Sequence, residues 1–133
     1  MNIDRDYCVM MGRYNAWQNR QLRDLLQTLG PEELVKDRGA FFGSILGTLS
    51  HLVWGDQIWM SRFDGGAAPE LAGTESTVLV TTFDAWSDAR EQMDARIGQW
   101  AAHLSGRAGV SHFWHGPPGH LCPAWSIGIG LWS

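Results

Sequence analysis

Positive charge is in short supply in this chain. Its 133 residues hold ten Lys and Arg against fourteen Asp and Glu, for a net charge of -4 and a pI near 5.6. Such a balance offers no basic field to a phosphate backbone, so nucleic acid is not an expected partner. Cysteine is scarce as well: Cys8 and Cys122 are too few for a disulfide framework and read as free thiols, Cys8 as a small core residue. Long apolar runs are missing. The longest, AWSIGIGLWS, is too short to span a bilayer, so no membrane segment is expected. The start, MNIDRDYCVMMGRY, carries acidic residues and no apolar core of signal-peptide length, which points to the cytoplasm.

What is present suits one globular domain. Hydrophobic residues make up 44% and charged residues 18%, and eight tryptophans are many for this length. From Tyr7 to Leu29 the residues Tyr7, Met10, Met11, Tyr14, Trp17, Leu22, Leu25 and Leu29 recur mostly at three- and four-residue steps, the period of a buried helical face. Asp4 or Asp6 can cap its start, and Gly30-Pro31 is a stop signal. PEELVKDRGAFFG reads as a connector with one short turn. A second helix follows over Ser44 to Phe63, with Ile45, Leu49, Leu52, Trp59 and Phe63 on one face and Leu46, Val53 and Met60 widening it. GGAAPELAGTESTVLV reads as a long loop whose strand-like piece, Val78 to Thr81, is too isolated to found a sheet. Phe83, Trp86, Arg90, Met93, Ile97, Trp100 and Leu104 define a third helix, capped by Thr81 or Thr82. The domain is expected over residues 1–106.

Beyond Arg107 the character changes. AGVSHFWHGPPGHLCPAWSIGIGLWS contains no Asp, Glu, Lys or Arg, and its three histidines, three tryptophans and three prolines follow neither helical nor strand period. Residues 107–133 therefore read as an irregular tail of the same domain.

Inside the apolar second helix sits His51. On a helical wheel it lies off the main stripe, beside Ser44, Gly47, Thr48 and Gly55. Glycines four residues before and after cost helix stability, roughly 1 kcal/mol each relative to alanine, and the close approach of another helix is a compensating reason. That would set the imidazole in an interhelical seam, where bundles assemble metal sites. The plainer alternative is a ring satisfied by a carbonyl or a water. Asp56 falls on the apolar stripe, about 140° of rotation from His51, so it reads as a structural carboxylate needing a partner, with Arg90 or a tryptophan N–H as candidates.

YNAWQNRQL in the first helix, the L-x-H-L-x-x-x-D pattern around His51 and TTFDAWSDAREQMDARIGQWAAHLSG in the third helix together resemble the DinB-like family, also called the DinB/YfiT group, over roughly Tyr7 to Gly106. The family is unrelated to the DNA polymerase that shares its name. The resemblance implies an all-α, up-down four-helix bundle, often a homodimer. It also implies a divalent metal, commonly nickel or zinc, on one histidine of the second long helix and two of the fourth. His51 matches the first of these. The fourth helix should carry H-x-x-x-H followed by R-G-Q, and this chain has no such segment. His112 and His115, three apart, are the tail pair that can face together on a short turn, so the metal set implied here is His51, His112 and His115. A reading frame shifted near Arg107 accounts for both the compositional break and the missing motif; translating the other two frames of the DNA tests it.

Three functions follow. The resemblance implies a metal-dependent hydrolase or thiol transferase with an incomplete histidine site, since a metal on three protein ligands keeps room for water or a thiolate. A non-catalytic helical dimerisation or interaction module is the second, built on the aromatic surface that a missing fourth helix leaves bare. A tail zinc site of His112, His115, His120 and Cys122 is the third, with a spacing that matches no zinc motif. No G-x-S-x-G elbow and no phosphate-cradling loop appears, and the substrate is not named by these residues.

Overall fold

The computed structural model describes residues 4–104. Three long helices carry it: α1 over Arg5–Leu26, α3 over Ile45–Asp64 and α4 over Phe83–Ala102, with a short α2 over Pro31–Val35 and a 3-10 helix over Gly73–Val78. No strand occurs among the described residues, and one isolated bridge joins Ala40 and Gly43. Each long helix starts on a side-chain cap. Asp4 accepts from the Tyr7 N–H at 2.9 Å, Ser44 from Gly47 at 2.9 Å and Thr82 from Ala85 at 3.1 Å, each satisfying a backbone donor that the first turn leaves free. Gly65, at φ +70°, ends α3 in the left-handed conformation that glycine takes without a Cβ clash. The helix α1 stops at Leu26, three residues before the sequence reading. There Thr28 and Leu29 turn back onto Leu25 and Leu26, and Pro31 then opens α2 from its first position.

Helix directions follow from their pairings. Asp56 meets Arg90 and Asp64 meets Arg96, so α3 and α4 run parallel; Asn19 meets Asp94 while Gly12 lies against Ile97, so α1 runs antiparallel to α4. The expected all-α bundle is what the chain forms, with the alternation of direction holding for α1 against both partners. Because α3 and α4 point the same way, residues 65–82 must carry the chain back along the bundle, and the 3-10 helix lies on this return. Two apolar clusters fill the interior. Cys8, Met60, Phe63, Met93, Ile97, Ala101 and Leu104 pack at one end, and Leu26, Leu34, Leu46, Leu49, Val53, Val80 and Trp86 at the other.

One helical face differs from the sequence reading. The residues α1 buries are Cys8, Gly12, Asn15 and Leu26, whereas Met10, Tyr14, Trp17 and Leu25 are exposed, as is Leu29 beyond it. Tyr7, Met11 and Leu22 do pack against the core, but the centre of the buried face is shifted, because α1 turns its small and polar residues toward α4. No helix among the described residues is long and apolar enough to cross a membrane.

Between the two clusters lies a buried polar layer. Asp56, 0% exposed, accepts from Arg90 Nη2 at 2.5 Å. Arg90 Nε also donates to Asp94 at 2.9 Å, and Asn19 donates to both oxygens of Asp94 at 3.0 and 3.2 Å, tying α3, α4 and α1 together. The structural pairing expected for Asp56 is thus made by Arg90. One carboxylate oxygen, Asp56 Oδ1, is left without a hydrogen bond. Burial lifts the Asp56 carboxyl to about 6 against the pull of Arg90.

Candidate functional site around His51

The middle of α3 presents three polar or aromatic side chains, Ser50, His51 and Trp54, to the return segment. Ser50 Oγ donates to the Ser76 carbonyl at 2.7 Å and accepts from the Val80 N–H at 3.1 Å; both Ser50 and Ser76 are buried. One residue on, His51 Nδ1 and Ser76 Oγ share a hydrogen bond of 2.8 Å. A turn further, Trp54 Nε1–H donates to the Leu71 carbonyl at 2.9 Å. These bonds hold the 3-10 helix, a segment with neither helical period nor a run of apolar residues, against α3 in the stretch the sequence reads as loop.

The imidazole itself has two aromatic neighbours. Phe42, from the connector before α3, stacks on it with centroids 4.0 Å apart and planes 20° from parallel, and Trp54 stands at 5.9 Å and 22°. The ring is partly buried, and burial pushes its pKa below the ordinary 6.5, which favours the neutral form at pH 7. Its surroundings correct one expectation. The close approach marked by Gly47 is made by the connector, since a Cβ there would run into the Phe42 carbonyl oxygen. The seam around His51 is therefore built by the Phe42 connector and the Ser76 segment, with α3 as its floor.

An imidazole in this state can bind a metal through one nitrogen while the other is held, the arrangement seen when a second partner fixes a ligating histidine. Among the described residues, no three His, Cys, Asp or Glu side chains converge as a metal group. Asp56 is committed to Arg90 on the buried side of α3. His112 and His115, and with them His120 and Cys122, lie outside the described residues. Cys8, at the far end, is fully buried, and burial with the nearby Asp4 carboxylate pushes its thiol up to about 11, so it stays protonated and unreactive.

Sequence reasoning finds His51 but not its partners. Ser76 sits in a run of Gly, Thr, Glu and Ser that resembles any loop, and Phe42 in a connector without period. The glycine at position 47 is the one local signal that something lies across this turn of α3.

In comparison with known proteins, the model of the DinB family fits residues 4–112, most of the chain. No curated protein and no solved structure matches.

Proposed function

Since the chain belongs to the DinB family, we propose that it is a divalent-metal-binding protein of the hydrolase or thiol-transferase type, with His51 as a ligand. The observation that carries this reading is the state of the His51 ring. Its Nδ1 is bonded to Ser76 Oγ, Phe42 stacks on it with Trp54 nearby, and Nε2 has no hydrogen-bond partner among the described residues. In the tautomer whose Nδ1–H donates to Ser76 the lone pair is left on Nε2, and the neutral ring that burial favours is the form that ligates. Nickel or zinc are the metals the family implies. Bound there, either would act as a Lewis acid that lowers the pKa of a coordinated water or thiol. The work of this chain's residues is to orient and shield: Ser76 anchors Nδ1, and the neighbouring rings of Phe42 and Trp54 pack against the imidazole. One imidazole holds a divalent ion weakly, so His112 and His115 are the further ligands in this proposal.

A second reading is favoured by a separate observation. Met10, Tyr14, Trp17 and Leu25 are exposed along α1, and Tyr14 and Trp17 stack on each other with centroids 6.1 Å apart. An apolar stripe of that length suits a homodimer of non-catalytic helical modules.

Elemental analysis of the purified full chain separates these readings. Stoichiometric nickel or zinc that is lost on His51→Ala supports the first. No metal, together with a dimer that dissociates on Trp17→Glu in light scattering, supports the second. Metal retained by His51→Ala and lost on Cys122→Ser refutes His51 as a ligand and favours the tail site.

A further inference from the structure

The polar layer joining α1, α3 and α4 is short of hydrogen-bond donors. Three buried side-chain atoms have no partner among the described residues, and all three are oxygens: Asp56 Oδ1 on α3, and Asn15 Oδ1 and Gln18 Oε1 on α1. Two carboxylates share one guanidinium, because Arg90 Nη2 lies 2.5 Å from Asp56 Oδ2 and 2.9 Å from Asp94 Oδ1. Asn19 donates to both Asp94 oxygens, and Asn15 Nδ2 reaches Asp94 Oδ1 at 3.5 Å. That contact fixes the Asn15 amide, since turning it over would set its oxygen against the carboxylate. Asn15 and Asp56 thus enter one layer from two helices, each with an acceptor left over.

Space limits what can supply the missing donor. Each of these oxygens exposes less than 1 Å² of surface, so neither a water molecule nor a metal ion has room beside it. A proton needs none. Placed on Asp56 Oδ1, it turns a surplus acceptor into a donor, and an amide oxygen of α1 gains a partner. The charges agree with this. Arg90 and Asp94, both on α4, act on Asp56 with opposite signs, and no charge from α2 or the 3-10 helix acts on it. From α1 come the uncharged Asn15 and Asn19, with Arg20 acting on Asp94 at the edge of the layer.

We infer that the folded bundle holds a proton on Asp56 Oδ1, shared with Asn15 of α1, and that this proton is a latch: α1 is clasped while it is bound and opens more readily once it is lost. The latch is independent of the metal reading of His51, and either can fail alone. Its sense follows from linkage. Burial lifts the Asp56 carboxyl from 3.8 to about 6 in the closed bundle, so the clasp is fully present below 3.8 and is lost as pH rises through about 6.

Native-state amide hydrogen exchange of the full chain, corrected for the intrinsic rate at each pH, tests this. Amides in the middle of α1 should exchange ahead of those in α4, and their protection should fall about tenfold between pH 5 and pH 8. The Asp56→Asn variant keeps the shape of the side chain and carries a permanent N–H donor in place of the proton. Its α1 protection at pH 8 should approach that of the unsubstituted chain at pH 5 and change little between the two. Carbon-13 NMR of the unsubstituted chain is a second measurement that does not depend on the variant folding: the Asp56 carboxyl and the Asn15 side-chain carbonyl should titrate with one midpoint near 6. Equal α1 protection at pH 5 and pH 8 overturns the inference, as does α1 exchanging only together with α4. An Asp56→Asn variant that keeps the full pH dependence, or an Asp56 carboxyl already ionised at pH 5, overturns it too.

Discussion

Substituting Arg90 by Met tests the buried polar layer most directly. The guanidinium supplies the bond to Asp56 Oδ2, and Asp56 Oδ1 has none, so the variant leaves a fully buried carboxylate with no donor. Removing one partner of a buried ion pair costs roughly 3–5 kcal/mol. A domain of this size is stable by about 5–15 kcal/mol, so roughly a fifth or more of the total is at stake, and Tm should fall by roughly 10–20 °C. The pH dependence carries a distinct sign. In the native protein the Asp56 carboxyl is raised from 3.8 to about 6, so this group favours the fold fully below 3.8 and the contribution is lost as pH rises through 6. Without Arg90 the carboxyl rises further. The deficit of the variant should therefore be small near pH 4 and widen up to pH 8. Replacing both partners, Asp56→Leu with Arg90→Met, should recover most of the loss, because Asp94 keeps Asn19 as its donor. Guanidinium unfolding followed by circular dichroism at several pH values measures all of this. A loss under about 1 kcal/mol, or one that does not vary with pH, refutes the reasoning.

Three further outcomes follow from single sites. Ser50→Ala removes a hydroxyl that serves both the Ser76 carbonyl and the Val80 N–H; a loss of about 1–3 kcal/mol is expected, with faster amide exchange at Val80, and unchanged exchange there would show that the return segment is held by other contacts. Gly47→Ala forces a methyl against the Phe42 carbonyl, and urea midpoints should report about 1–3 kcal/mol of destabilisation through displacement of the connector. With Cys122 replaced by Ser, the remaining thiol at Cys8 is fully buried with its pKa near 11, so Ellman's reagent should react at the rate of global unfolding, and fast labelling of folded protein would contradict its place in the core.

Much of the fold is legible in the residues. The caps Asp4, Ser44 and Thr82 and the stop at Gly65 mark the ends of helices through local chemistry that depends on a few neighbours only. On α4 the apolar period names the buried face correctly, with Trp86, Arg90, Met93 and Ile97 inside. On α1 the same rule is right for Tyr7, Met11 and Leu22, which pack on the core, and wrong for Met10, Tyr14, Trp17 and Leu25, since apolar periodicity reports that a stripe exists and not where its centre meets a partner. There Asn15 and Asn19 reach the Arg90–Asp94 layer, and the helix turns them inward while Tyr14 and Trp17 face out. The setting of His51 is illegible for a related reason: Ser76 lies 25 residues away in a segment shaped by tertiary hydrogen bonds, which leave no period behind.

The parallel course of α3 and α4 bears on how the chain is made. Asn19 waits 75 residues for Asp94, and α4 is the element on which α1 chiefly packs. A chain emerging from the ribosome therefore exposes α1, with Arg90 still unmade and Asp56 uncompensated, until α4 is released. Docking of α1 thus waits for α4, and contacts closed over so long a stretch of chain form slowly.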